Sequence, residues 1–301
     1  MAPRNFFILK SDGRKVKFNP NKILSTCMRA GASRKTAQRI LKKVRSNVYR
    51  DMGTSDIYKL VLQAISKEKD GVGLHQRYQL KEAIMRLGPA GFAFENYIAD
   101  LLPYYDLQVS GIRVKIKGKC ALHEIDLIGL SSSKQFMIEC KHNSYRGTYI
   151  GLKVALYTHA RFLDLSPRFS GEMIFCNSKI SENAKKYSNC IGQQVFSWRY
   201  PSEKSLEKII EENKLYPITI LNLTSKELGI FYGIDLMIAK DLLDFDAVKL
   251  SEKTGIGTTR IHNLQMMVEK TTAIVSMISN ILHCSLVIFY DDFLPPVFNL
   301  L

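Results

Sequence analysis

The chain has 301 residues, enough for two or three domains with hydrophobic cores of their own. Its net charge is +15, and the first 50 residues hold most of the excess, with Asp12 as their only acid. This predicts binding to a polyanion, and charge alone does not choose among nucleic acid, nucleotide and anionic lipid. Six cysteines without metal-ligand spacing argue against structural zinc, and the lack of a P-loop pattern argues against a Walker-type ATPase.

The first predicted elements are a β-hairpin and three helices. Residues 6–10 and 15–18 read as strands on either side of a tight turn at Asp12-Gly13. Helices are expected over 20–31, 34–48 and 54–66, the first capped by Asn19 and the third by Thr54 or Ser55. The apolar start of this segment is far shorter than a secretory signal, so we expect a cytoplasmic protein with free thiols.

These elements resemble the ATP-cone, a nucleotide-sensing module of ribonucleotide reductases and of a repressor of their genes. The motifs that carry the resemblance are Lys10-Ser11-Asp12-Gly13, Phe18-Asn19-Pro20-Asn21-Lys22-Ile23 and Thr54-Ser55-Asp56-Ile57. The resemblance covers about residues 5–88 and implies that ATP or dATP binds as an effector through Lys10, Asn19, Lys22 and Thr54. Ser11 departs from the family, which has a basic residue there. Charge alone also allows a basic helical clamp on DNA.

A helix over 91–102 and a second β-hairpin come next in the chain. Apolar strands over 125–130 and 135–141 flank a polar turn. Hairpin pairing brings Asp126 towards Glu139, and strand alternation places Lys141 on the side of Glu139. Two carboxylates beside a lysine suit Mg²⁺ or Mn²⁺, and the ammonium can steady a water or a developing charge. A phosphodiester-cleaving site is therefore predicted, and a surface hairpin with solvated charges is the alternative.

The same hairpin resembles the metal-binding core of PD-(D/E)XK nucleases, and in particular of Mrr-like restriction endonucleases. His123-Glu124-Ile125-Asp126 and Glu139-Cys140-Lys141 carry the resemblance. It implies a DNA substrate, a metal on Asp126 and Glu139, and catalysis by these two residues with Lys141. Glu95 falls where family members often carry a site glutamate. Residues 154–164 match the helix that follows the hairpin.

The C-terminal third reads as helical, beginning with an amphipathic helix over 203–213. Residues 246–261 resemble a helix-hairpin-helix element, which implies that Gly255, Gly257 and Thr258 meet a DNA phosphate. Residues 228–234 resemble a degenerate first copy, and an ordinary glycine-capped connection is the alternative. An apolar run over 273–290 contains many polar residues, so a buried element at a dimer seam is favoured over a membrane span.

Together these patterns predict an α+β protein of three modules. They are a helical ATP-cone over 5–88, a restriction-endonuclease-like mixed sheet flanked by helices over 89–200, and a helical region over 201–301. The expected function is Mg²⁺-dependent DNA endonuclease activity regulated by ATP or dATP. A non-catalytic, nucleotide-responsive DNA-binding regulator and a structure-specific repair or recombination nuclease stay open as alternatives. No stable membrane association is expected, and the oligomeric state is left open.

Overall fold

The computed structural model describes residues 6–10, 12–69, 71–88, 92–145 and 147–273. The described residues form an α+β structure, in agreement with the predicted class. Within these ranges, every helix is too short or too polar to span a membrane. The apolar run predicted over 273–290 lies outside the described residues except for Ala273.

The N-terminal unit is a two-stranded antiparallel hairpin packed on helices. Its elements are β1 (Phe7–Leu9), β2 (Lys15–Lys17), α1 (Pro20–Arg29), α2 (Arg34–Arg45), α3 (Thr54–Ile65) and α4 (Gly71–Tyr78). Buried apolar residues from all of these except β2 form one hydrophobic core, to which Val16 of β2 adds a half-buried side chain. Asn19 caps α1 with its side chain, as predicted, by accepting from the backbone N–H of Asn21 at 3.0 Å.

The predicted cap of α3 was wrong by one residue. Gly53 is the N-cap, and its carbonyl accepts from the N–H groups of Asp56 and Ile57. The reason is tertiary, because Leu9 pairs with Gly53 in a parallel bridge and holds the backbone extended up to that residue. Thr54 is therefore the first residue of the helix.

A five-stranded mixed sheet forms the centre of the molecule. Its strands are β3 (Gln108–Lys117), β4 (Leu122–Ser131), β5 (Lys134–Lys141), β7 (Gly171–Cys176) and β9 (Gln194–Phe196). They lie in the order β3-β4-β5-β7-β9, with β3, β4 and β5 antiparallel and β5, β7 and β9 parallel. Around them lie α5 (Leu80–Met85), α6 (Phe92–Leu101), α7 (Leu152–Asp164), α8 (Glu182–Ile191) and a small parallel pair, β6 (Tyr149–Ile150) with β8 (Lys179–Ile180).

The C-terminal helices pack on the same hydrophobic core as the sheet. They are α9 (Leu206–Asn213), α10 (Ser225–Gly233), α11 (Ala247–Thr254) and α12 (258–273). Buried residues from Leu80 to Val268 form one continuous cluster, and the buried hydroxyl of Tyr97 donates to the Leu215 carbonyl at 2.5 Å. The predicted helix, turn and helix over 246–261 are present. The predicted degenerate copy is not a turn between helices, because Gly229 lies inside α10.

Candidate functional site

The β4–β5 hairpin brings Asp126 and Glu139 together. Leu127 pairs with Ile138, and the next step in that register places Asp126 across from Glu139. Here the Asp126 carboxylate replaces a ladder hydrogen bond, since its Oδ2 accepts from the Cys140 backbone N–H at 2.7 Å. A tight turn through Ser132 and Ser133, both with positive φ, sets this register. The convergence of these two predicted site residues is therefore a feature of the structure.

Glu139 is a buried carboxylate held between two cations. Only 2% of the residue is exposed, and its Oε1 and Oε2 contact Lys141 Nζ and Arg161 Nη1 respectively. Arg161 also donates through Nη2 to the Glu124 carbonyl, and the ring of Tyr157 covers its guanidinium. Pairing of this kind is required because an isolated ionised carboxylate is very costly to bury.

Sequence reasoning missed Arg161. The signal was present, because Arg161 follows Ala155 and Thr158 at intervals of three and these three residues are all buried in α7. A charged residue at a buried helical phase indicates an ion pair inside the protein. Its partner was not evident, since Glu139 lies on another element.

Glu95 approaches the site from α6. Its Oε2 lies 3.2 Å from Nη1 of Arg113 on β3, and the same nitrogen donates to Asn96 at 2.8 Å. Burial raises the pKa of Glu95, the Arg113 contact lowers it, and the charges of Glu124 and Glu139 raise it further. Glu95 is thus electrostatically coupled to the hairpin carboxylates, as its predicted place in the site requires.

The pKa values of Asp126 and Lys141 are both raised, with different consequences for their charge at neutral pH. Burial raises the pKa of Asp126 to about 6, and the neighbouring charge of Glu139 adds to the rise. Burial lowers the pKa of Lys141, but its contact with Glu139 more than offsets this, so the net pKa lies above the ordinary value. Lys141 is therefore an ammonium at neutral pH, while Asp126 titrates close to the physiological range.

The carboxylates of Asp126 and Glu139 meet part of what a hard divalent cation requires of its ligands. Among the described residues, no group of three or more His, Cys, Asp and Glu side chains is arranged to hold a metal ion. Mg²⁺, however, is commonly held by one or two carboxylates together with waters and substrate phosphates. Asp126 and Glu139 satisfy that smaller requirement by chemistry and position, although both oxygens of Glu139 also contact cations.

The four residues predicted to contact nucleotide form two pairs in the N-terminal unit. Lys10 follows Leu9, whose bridge to Gly53 brings the end of β1 next to Thr54. Asn19 and Lys22 lie together at the start of α1, where the Lys22 N–H donates to the Asn19 carbonyl at 3.2 Å. Between the described atoms of the two pairs there is no hydrogen bond, and their role in binding stays a prediction.

The predicted phosphate-contacting turn lies between α11 and α12. Gly255 has a φ of +70° and caps α11, while Gly257 accepts at its carbonyl from the N–H groups of Arg260 and Ile261. Both glycines are exposed and have open space around Cα, and Thr258 begins α12. The geometry leaves the start of α12 accessible, and a DNA contact there stays a prediction.

Comparison with known proteins finds one family match in the N-terminal part of the chain and one in its C-terminal third. The family described as ATP cone domain matches residues 6–80, and the family described as AF1548-like, C-terminal, matches residues 216–270. An uncharacterized protein of Archaeoglobus fulgidus is 39% identical over 140 residues, which cover 46% of this chain and 80% of that protein. The predicted ATP-cone is thereby confirmed.

Two solved structures are similar to this chain. The crystal structure of the protein of unknown function AF1548 has 32% identity and a TM-score of 0.55, and the match covers 62% of this chain and 100% of that one. Can2 from Sulfobacillus thermosulfidooxidans in complex with cyclic tetra-adenylate has 14% identity and a TM-score of 0.31, over 65% of this chain and 54% of that one. The second likeness is too low to carry an argument. Neither match tests the Mrr-like resemblance, which stays a prediction.

The raised pKa of Asp126 predicts a pH-dependent effect of Asp126→Asn on stability. A carboxyl whose pKa rises from 3.8 to about 6 on folding favours the folded state less as the pH increases through that window. Above pH 6 the wild type therefore bears the full cost of ionising Asp126, and below pH 4 it bears none. Urea unfolding should show the variant gaining up to about 3 kcal/mol relative to wild type between pH 4 and pH 7.

Asp106→Asn is the matched control, because this carboxylate is exposed and pairs only with Lys204 among the described residues. Its effect on the free energy of unfolding should change little between the two pH values. An Asp126→Asn effect that is equal at pH 4 and pH 7 would show that folding does not raise the pKa of Asp126.

Proposed function

This chain belongs to the AF1548-like family, and we propose that it is a metal-dependent DNA endonuclease whose activity responds to ATP or dATP bound at the ATP-cone. The observation that carries the proposal is the convergence of Asp126, buried Glu139 and Lys141 at one end of the β4–β5 hairpin. Perturbed pKa values cluster at functional sites, and burial together with the charge of Glu139 raises the pKa of Asp126.

In the proposed reaction, a water attacks the scissile phosphorus and the P–O bond to the leaving oxygen breaks. The attacking water loses a proton to bulk solvent, and the leaving oxygen takes one up from bulk solvent. Asp126 and Glu139 would hold Mg²⁺ or Mn²⁺, which supplies Lewis-acid stabilisation of charge on the phosphate oxygens. Lys141 is protonated, so it orients the water and donates hydrogen bonds to the developing charge instead of accepting a proton. Arg161 pairs with Glu139 and holds it in position.

A row of lysines on β3 supports a nucleic-acid substrate. β3 is an edge strand, and Lys115, Lys117 and Lys119 are exposed at alternate positions along it and just beyond its end. Lys117 and Lys119 also line a cavity of about 500 Å³ together with Arg168. The row begins beside Arg113, which holds Glu95 of the site. Positive charge that continues from the carboxylates along one edge suits a phosphate backbone.

A non-catalytic, nucleotide-responsive DNA-binding regulator is the second candidate. One observation favours it, because Lys141 and Arg161 already neutralise Glu139 without any added cation. A repair or recombination nuclease would use the same residues as a restriction enzyme, so activity on supercoiled, methylated and branched DNA is what distinguishes those two roles.

Alanine substitution of Asp126, Glu139 or Lys141 should each lower Mg²⁺-dependent cleavage of supercoiled plasmid by roughly two to three orders of magnitude, because each removes electrostatic stabilisation of the transition state. The measurement is the rate of nicking, with circular dichroism to check folding. Glu182→Ala removes an exposed carboxylate from α8 and should leave the rate unchanged. Nicking undiminished in all three site variants would remove the nuclease assignment.

Nucleotide binding should depend on Lys10 and Lys22, the basic residues of the two pairs predicted to contact nucleotide in the ATP-cone. Lys10→Ala or Lys22→Ala is expected to weaken ATP or dATP binding to the full chain by about 1 to 3 kcal/mol, because each removes a charge-assisted hydrogen bond to phosphate. Calorimetry gives the affinity, and Lys42→Ala on the exposed side of α2 is the control. Absence of heat and of any thermal shift at millimolar nucleotide would leave a basic DNA clamp as the role of this unit.

Replacing Lys115, Lys117 and Lys119 by glutamine should weaken DNA binding for all sequences alike. Every lysine removed from a phosphate reduces the slope of log affinity against log salt by about 0.9 for duplex DNA, so a reduction of up to about 2.7 is expected. Fluorescence anisotropy between low and moderate salt measures the slope. The control replaces Lys179, Lys186 and Lys226, which are exposed elsewhere, and an equal slope change in both triple variants would exclude a specific role for β3.

A further inference from the structure

The two residues that follow Lys141 are both held by α5, the helix that leaves the ATP-cone. His142 Nε2 lies 3.0 Å from the Ile84 carbonyl. A carbonyl only accepts hydrogen bonds, so Nε2 carries the proton and donates. The ring is enclosed further by Phe94, at 5.3 Å between ring centroids, and by Gly88, where a Cβ would lie 2.5 Å from Nδ1. His142 therefore has one orientation, set by α5.

Asn143 is tied to α5 through a buried asparagine. The Asn143 backbone N–H donates to Oδ1 of Asn177 at 2.8 Å, and Asn177 Nδ2 donates to the Asn143 carbonyl at 3.0 Å. Asn177 directly follows β7, so this reciprocal pair joins the ends of neighbouring parallel strands. Lys81 of α5 donates from Nζ to the Asn177 carbonyl and lies over the Trp198 ring at 4.4 Å.

Between Lys81 and Ile84, α5 is also connected to the nucleotide-binding unit through Glu82. The hydroxyl of Tyr58 donates to Oε2 of Glu82 at 2.8 Å, and the ring of Tyr58 stacks on Tyr78 at 5.6 Å. Tyr58 lies one turn after Thr54 in α3. A displacement of the start of α3 would therefore act on α5 through the Tyr58–Glu82 hydrogen bond if α3 moves as a rigid element.

We propose that α5 links the ATP-cone to the active site, with Tyr58 and Glu82 as its contact to the nucleotide unit and His142 as the positioning residue for Lys141. This inference rests on the proposed function and names the regulation of that site. Nucleotide at Thr54 would shift α5, and α5 would move the ammonium of Lys141 relative to Glu139. Tyr58, Glu82 and His142 would then transmit the nucleotide state although they belong neither to the nucleotide-contacting residues nor to the catalytic residues.

Tyr58→Phe is the decisive variant, because it removes one hydroxyl and keeps the ring. In the full chain, ATP or dATP should change the wild-type cleavage rate about 5- to 150-fold, and the variant should lose most of this response while its basal rate and nucleotide affinity stay as in wild type. Tyr49→Phe removes an exposed hydroxyl from the same unit and should keep the full response. An unchanged response in Tyr58→Phe would overturn the proposal.

His142 is tested by a pair of substitutions. His142→Ala should lower kcat with little change in KM, because Lys141 acts on the reacting phosphate and not on the rest of the DNA. His142→Gln can still donate an N–H towards the Ile84 carbonyl and should restore kcat in part. Equal kcat values for both variants would show that a hydrogen bond to the Ile84 carbonyl does not position Lys141.

A second readout separates this inference from the nuclease proposal. Hydrogen exchange over residues 137–145 reports the Asn143 amide without any cleavage. Nucleotide should change exchange there in the wild type and not in Tyr58→Phe. If the wild type cleaves no DNA with Mg²⁺ or Mn²⁺, the proposed function fails and the exchange result still decides the linkage. Nucleotide binding that leaves exchange over 137–145 unchanged in the wild type would overturn it.

Discussion

The burial of the Glu139 carboxylate is the constraint on which the centre of the structure depends. Glu139 lies on β5, the middle strand of the five, and is almost fully excluded from solvent. Desolvation of an ionised carboxylate costs several kcal/mol unless cations compensate for it. Lys141 supplies one cation from the same strand and Arg161 supplies the other from α7. The position of α7 across the sheet is therefore part of the electrostatics of the site.

This compensation is incomplete at Asp126, although Lys141 and the Cys140 N–H lower its pKa in part. Burial raises the pKa of Asp126 towards neutrality, and the charges of Glu139 and Glu95 add to the rise. A fold selected for stability alone would have no use for an ionisable group at this position, since an amide could accept the Cys140 hydrogen bond equally well. The unrelieved negative charge makes sense where a bound cation neutralises it, which favours the nuclease over a non-catalytic scaffold.

Two of the hydrophobic cores of the described residues lie on either side of the junction between α4 and α5. The ATP-cone core includes Leu74 of α4, whereas Leu80 of α5 belongs to the large core shared by the sheet and the C-terminal helices. Only Gln79 separates the two helices. Buried Arg77 connects the N-terminal unit to α12, because it donates hydrogen bonds to the carbonyls of Ala30 and Thr271. In the proposed linkage, a movement of one core relative to the other would act on α4 and α5, and α5 contacts His142 through the Ile84 carbonyl.

The sequence by itself determined the features that depend on neighbours along the chain. Asn19 and Pro20 predicted the start of α1, and the polar turn after β4 predicted the hairpin that places Asp126 opposite Glu139, because caps and tight turns act over a few residues. The hairpin pattern also predicted Asp126 and Glu139 as site residues. It did not predict which groups of the site are protonated, since the pKa values of Asp126 and Lys141 depend on burial.

Tertiary structure alone decided which distant groups complete the site. Arg161 meets Glu139 across 22 residues, and His142 meets the Ile84 carbonyl across 58. No sequence pattern identifies the partner in either contact, because each contact depends on how a helix packs against the sheet after both have formed. The Gly53 cap of α3 has the same origin in its pairing with Leu9. Local hydrogen bonds determined the helices and strands. The packing of these helices and strands around the buried Glu139 carboxylate determined which distant residues meet.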